Sequence, residues 1–288
     1  MNQFSLSANI ETGFTQGSQY VVTPNSKKVL AEIVNGYQSG IHSYTIIGTY
    51  GTGKSSFLIA LHEDLSTNSK KKYLFDHTDV LGCEKFKVFN IVGDYASLPH
   101  LLARKLNIEG NTESVLDTLR AFCNKLNAKG TFLVIIIDEF GKVLEHAAKK
   151  DPEEELYFMQ KLAEFANVPT RKVLLLTTLH QNFNAYAKGL SQAQRNEWNK
   201  VKGRFKEVVF VEPVEQILML AARQNQEQKH KLTEAEEANL KMLYQLAVKT
   251  KFVSADFSLE TAKSLYPLDP FSAFSLTQAI QRYGQNER

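Results

Sequence analysis

Runs of apolar residues without polar alternation stand at 132–137 and 173–176, and shorter strands are predicted at 43–47 and 207–211. A run with no polar partner on either side predicts a strand buried on both faces, as in a parallel sheet covered by helices. A further strand is predicted at 86–92. Between these runs the apolar spacing changes to that of amphipathic helices. Val29, Leu30, Ile33 and Val34 set such a stripe over 27–37, with Asn25 or Ser26 as a cap, and Leu98, Leu101, Leu102 and Leu106 set one over 97–106. Helices are likewise predicted at 56–62, 112–127, 140–149 and 152–166. Pro152 suits a first helical turn, and Glu153, Glu154 and Glu155 suit its positive end, so this acidic run reads as a helix start and not a metal site. The segment 181–202 is polar and reads as a surface helix plus loop; its Trp198 packs either on the core or in an interface.

After Pro213 only helical patterns remain, at 214–224, at 233–249 behind a capping box, and from Ser258 onward. The expected organisation is therefore an N-terminal arm at 1–23, an α/β core at 24–213 and a small helical domain at 214–288. Within the arm, Tyr20, Val21 and Val22 either belong to a flexible segment or line an adenine site. There is no internal repeat.

The 288 residues carry 34 Lys and Arg against 31 Asp and Glu, a net charge of +3. That balance does not argue for nucleic acid, and leaves DNA open without supporting it. The basic run Lys70-Lys71-Lys72 has no interleaved aromatic residue and reads as a solvated loop. Cys83 and Cys123 have neither metal-ligand spacing nor a disulfide framework, which points to a reducing compartment. No stretch approaches the ~18 consecutive apolar residues of a membrane span. The N-terminus lacks the pattern of a signal peptide. The expectation is a cytoplasmic protein without membrane partners.

Candidate chemistry sits at the ends of the apolar runs. The stretch Gly48-Thr49-Tyr50-Gly51-Thr52-Gly53-Lys54-Ser55 fits G-x-x-x-x-G-K-[ST], lies between a predicted strand and a predicted helix, and continues into Ser56. Glycines in such a loop let successive backbone N–H groups converge on phosphate oxygens, and the helix N-terminus adds its dipole. Lys54 is placed to reach the β- and γ-phosphates of ATP, and Ser55 to ligate Mg²⁺. The run 132–137 ends in Asp138-Glu139, two acids with no packing reason to stand at a buried strand end. Asp138 is placed to hold the Mg²⁺ shell, and Glu139 to orient or deprotonate an attacking water. The next strand ends in Thr177-Thr178-Leu179-His180. Thr178 is the first candidate to touch the γ-phosphate or the water, and Thr177 the second. His180 is an alternative, bonding Glu139 and holding it off the water.

This set of motifs resembles the AAA+ branch of the P-loop ATPases. The resemblance implies a five-stranded parallel sheet of order 5-1-4-3-2 between helices, followed by a helical lid. It implies that 48–55 acts as Walker A and Asp138-Glu139 as Walker B, with Glu139 the catalytic base. It also implies that the Thr177-Thr178 strand end is sensor 1, and that Arg204 is an arginine finger acting on a neighbouring subunit's nucleotide. Gly284 to Arg288 resembles the start of a sensor 2 helix with its arginine displaced by one residue, leaving Arg288 and Arg282 as candidates. More narrowly, the combination with Lys202-Gly203-Arg204-Phe205 and Tyr266-Pro267-Leu268-Asp269-Pro270 resembles the N-terminal ATPase modules of large bacterial phage-defence proteins of BREX type. That implies a module of a longer chain, working as a homo-oligomer or with other defence subunits. The function expected is ATP hydrolysis driving conformational change or assembly. The rival is a nucleotide-binding switch with little turnover. A small-molecule kinase is weaker, since no acceptor-binding lid is evident.

Overall fold

A computed structural model describes residues 9–14, 20–66, 72–74, 81–109, 111–225, 232–254 and 257–283. The chain divides into two compact units, Met1–Phe210 and Val211–Arg288.

In the first unit five parallel strands form one sheet: β1 (Ser43–Ile47), β2 (Lys85–Val92), β3 (Thr131–Asp138), β4 (Val173–Leu179) and β5 (Lys206–Val209). Their order is β2-β3-β4-β1-β5. Read from the other edge this is 5-1-4-3-2, the order that the AAA+ resemblance implies. β3 and β4 are central, and both are buried almost throughout. That explains their uninterrupted apolar runs: both faces of each strand are covered. Leu133, Ile135 and Ile137 of β3 point into one core with Val173 and Leu175, while Phe132, Val134 and Ile136 point into another with Leu174 and Leu176. β2 lies at an edge, and its Lys85 and Lys87 are exposed.

Helices cover both faces. α1 (Pro24–Gln38) and α2 (Lys54–Leu65) pack on one core. α3 (Leu98–Leu106), α4 (Thr112–Asn127), α5 (Phe140–Lys149), α6 (Pro152–Ala166) and α7 (Gln192–Lys202) pack on the other, joined by a 3₁₀ turn at Phe183–Ala187. α1 opens with a capping box in which Thr23 and Ser26 satisfy each other's backbone N–H groups. The N-terminal segment contributes Ile10 to the core, and its carbonyl accepts a 2.7 Å bond from Asn90 Nδ2. Tyr20 joins Phe14 and Tyr73 in an aromatic cluster with centroids 5.9 to 6.3 Å apart. Trp198 is packed in the core, edge-on to Phe183.

The second unit holds α8 (Val214–Asn225), α9 (Glu234–Lys249), α10 (Leu259–Ser264) and α11 (Pro270–Tyr283) around Leu218, Ala222, Ala247 and Phe257. Arg282 lies in the last turn of α11, and Arg288 lies outside the described residues. Among the described residues no helix is long and apolar enough to cross a membrane.

Candidate nucleotide site

The strand order sets β3, β4 and β1 side by side, with their carboxyl ends at one end of the sheet. Three sequence-predicted elements meet there: Asp138 at the end of β3 with Glu139 just after it, Thr178 on β4, and the 48–55 loop after β1. The loop is tied to the sheet by the Gly48 N–H, which donates to the Leu179 carbonyl at 3.0 Å. Gly51 and Gly53 hold φ of 75° and 90°. Those left-handed turns allow the backbone to curl into the N-terminus of α2. Thr52 Oγ1 braces the curl by donating to the Thr49 carbonyl at 2.8 Å.

Lys54 is the first residue of α2, and its ammonium folds over the loop. It donates to the carbonyls of Gly48 and Thr49, the latter at 2.8 Å. Burial pushes this amine down to about 8, against the opposing pull of Asp138 and Glu139. A desolvated cation held by carbonyl oxygens is suited to a polyanionic phosphate chain, which would replace those weak partners with charged ones.

Asp138 is buried, and Thr178 Oγ1 donates to its Oδ1 at 2.5 Å. The Glu139 N–H lies 3.1 Å from that same Oδ1 and 3.0 Å from Thr178 Oγ1. Both bonds to Asp138 fall on one oxygen. The remaining carboxylate oxygen and the half-buried Ser55 hydroxyl are hard donors of the kind Mg²⁺ takes alongside phosphate oxygens and water. Among the described residues no group of three or more His, Cys, Asp or Glu forms a metal cage of its own. Thr177 is turned elsewhere, bonded to Thr45 Oγ1 at 2.9 Å and to the Tyr44 carbonyl at 3.2 Å.

Glu139 caps α5 with a left-handed backbone, φ 54°. A non-glycine residue there is uncommon, and such strain collects at functional sites. Its carboxylate forms an ion pair with Lys142 at 2.5 Å. This bond pushes the Lys142 amine up. His180 does not take Glu139 as the sequence alternative had it. Its ring stacks on Tyr50 with centroids 4.5 Å apart, and its Nδ1 lies 2.9 Å from Tyr186 Oη. Burial, then the Lys54 charge, pulls the His180 imidazole down; Glu145 and Glu139 oppose that shift. The physical reason is local. As the cap of α5, Glu139 sends its side chain along the first turn to the residue three positions on.

Arg204 is not brought to this end. It stands before β5, at the opposite end of the sheet, where its Nη2 pairs with Glu164 Oε1 at 2.7 Å. Lys142 and Tyr186 are additions that sequence reasoning did not single out. The three-residue spacing after Glu139 was a signal for Lys142; Tyr186 had none.

No family model and no curated protein matches the sequence. Among solved structures the chain is similar to the Aeropyrum pernix ORC2 protein in its ADPNP-ADP complexes, at 15% identity over 84% of this chain and 66% of that one, with a TM-score of 0.45. It is similar to Drosophila ORC bound to DNA at 13% identity, over 90% of this chain and 65% of that one, with a TM-score of 0.44. Domain III of the Thermotoga maritima replication initiation protein DnaA matches at 13% identity over 87% and 95% of the two chains, with a TM-score of 0.36. The chain thus spans about two thirds of the length of the ORC chains it matches. The strand order is the one that the resemblance stated from the sequence implied, with the 48–55 loop between β1 and α2.

Proposed function

We propose that this chain is an AAA+-type ATPase that binds Mg²⁺·ATP in the 48–55 loop and hydrolyses it to drive conformational change or assembly. The observation that carries this reading is the convergence of Lys54, Thr178-bonded Asp138 and Glu139 at one end of three adjacent strands. The loop N–H groups and Lys54 bind the phosphates, with Ser55 and Ser56 opening α2 beneath them. Ser55 and Asp138 would hold Mg²⁺, which would supply positive charge against the charge developing on the phosphates. Thr178 fixes the rotamer of Asp138 and braces the Glu139 backbone. Glu139 takes a proton from, or orients, the attacking water.

Two of these groups are engaged within the lone chain: Glu139 by Lys142, and Arg204 by Glu164. Release of Arg204 toward a neighbouring copy supplies a cation in trans, worth ~10³–10⁵ in rate in other NTPases. The same engagement favours a second reading, a nucleotide-gated switch that rarely turns over. Glu139→Gln separates them: loss of biological activity supports the enzyme, and full retention supports the switch. The narrower resemblance supports a place in an anti-phage defence protein of the cytoplasm, with copies of itself or other defence subunits as partners. Arg204→Ala is expected to keep nucleotide binding and to abolish any rise of specific activity with protein concentration. Full turnover from dilute monomer would contradict the role in trans.

A further inference from the structure

Tyr50 is the one aromatic residue of the phosphate loop, and the residue is 58% exposed. It is not loose, since it stacks on His180 with an interplanar angle of 22°. His180 follows β4 directly, two residues after Thr178. The other side of the contact is Tyr186, whose hydroxyl is bonded to His180 Nδ1 and whose ring meets the imidazole edge-on at 5.4 Å. Tyr186 is buried in the 3₁₀ turn Phe183–Ala187, and its hydroxyl lies against Gly141 in the first turn of α5, two residues after Glu139. The carbonyl of Phe183 in that turn accepts a 3.1 Å bond from the indole Nε1 of Trp198, the only tryptophan of the chain.

We infer that Tyr50, His180 and Tyr186 form a relay between the phosphate loop and the start of α5, with Trp198 at its far end as a built-in reporter. The inference rests on the proposed binding of nucleotide to the loop. Its physical origin is the Lys54 ammonium, which now bonds the carbonyls of Gly48 and Thr49. When Lys54 turns to phosphate, the backbone from which Tyr50 hangs loses the two hydrogen bonds that this one ammonium donates, and resets. From Tyr50 to His180 the link is a stacked ring, from His180 to Tyr186 a direct hydrogen bond, and from Tyr186 onward the 3₁₀ turn and a close approach to Gly141, a run of contiguous contacts of the kind through which two sites can share free energy. Tyr186 then transmits the change in two directions, to Gly141 beside Glu139 and to the turn that holds Trp198. In this account His180 is a positioning residue that acts through its neighbours.

The test is a titration of the full chain with Mg²⁺·ADP, read by calorimetry for binding and by tryptophan emission for the relay. Wild type is expected to change emission in step with saturation. His180→Ala and Tyr186→Phe are expected to give binding heat while the emission change falls about fivefold or more. Tyr50→Phe keeps the stacked ring and is expected to retain the signal. Binding without an emission change in wild type, or an undiminished change in both relay variants, would overturn the relay and leave the nucleotide site standing. No binding heat in wild type would overturn the nucleotide reading and the relay with it.

Discussion

Asp138 receives the Thr178 hydroxyl at 2.5 Å and the Glu139 N–H at 3.1 Å on the same oxygen. Thr178→Ala removes the shorter of these, and leaves a buried carboxylate less well satisfied. Phosphate release is expected to drop about 10- to 100-fold, the usual effect of losing a group that orients a ligand. Thr178→Ser, which keeps the hydroxyl, is expected to restore most of it; equal activity in the two variants would sink this role. Lys54 gives a pH dependence. Its ammonium, held at about 8 before phosphate is present, must be protonated to pair with phosphate. Apparent nucleotide affinity is therefore expected to weaken by up to about tenfold per pH unit above that value, with proton uptake on binding. Calorimetry in buffers of different ionisation enthalpy measures both, and a flat profile to high pH would contradict it. At this scale the sequence was informative where a residue type stood out against its surroundings, as with two acids ending an apolar run. It was silent on Tyr186 and its contact with His180, because that contact joins a strand tip to a separate turn through space.

β3 and β4 were legible because they sit inside the sheet, where burial on both faces confines polar residues to the strand ends. The edge strand β2 was legible over 86–92 although its outer residues are exposed. Trp198 was ambiguous because α7 is polar on most of its surface; only the fold shows that its buried face consists of Trp198 and Val201. Contacts between elements also set stability. A Cβ at Gly141 would collide with Tyr186 Oη. Gly141→Ala is expected to cost about 1–3 kcal/mol through overpacking, seen as a lower denaturation midpoint at unchanged slope. His42 stacks on Tyr37 at 4.3 Å and its Nδ1 sits 2.8 Å from the Ala166 carbonyl. Burial pulls its imidazole below the ordinary 6.5, partly offset by that carbonyl. The unfolded chain then binds the proton more readily, so stability is full above 6.5 and declines as pH falls from there through the folded value. His42→Gln is expected to flatten that acid limb in denaturant midpoints; an unchanged limb would assign it to other groups.

For the molecule as a whole, the two compact units and the placement of Arg204 away from the loop frame the functional question. Arg204 read as a finger because it precedes the last strand, yet its guanidinium is held by Glu164, a partner forty residues upstream that the sequence does not mark. The central claim is hydrolysis of ATP at the shared end of β3, β4 and β1. It is tested most directly by phosphate release from Mg²⁺·ATP across a range of protein concentrations, with Lys54→Ala and Glu139→Gln beside wild type. Turnover is expected whose specific activity rises with concentration and is lost in both variants. Tight binding without turnover at any concentration, or turnover that survives Glu139→Gln, would contradict it.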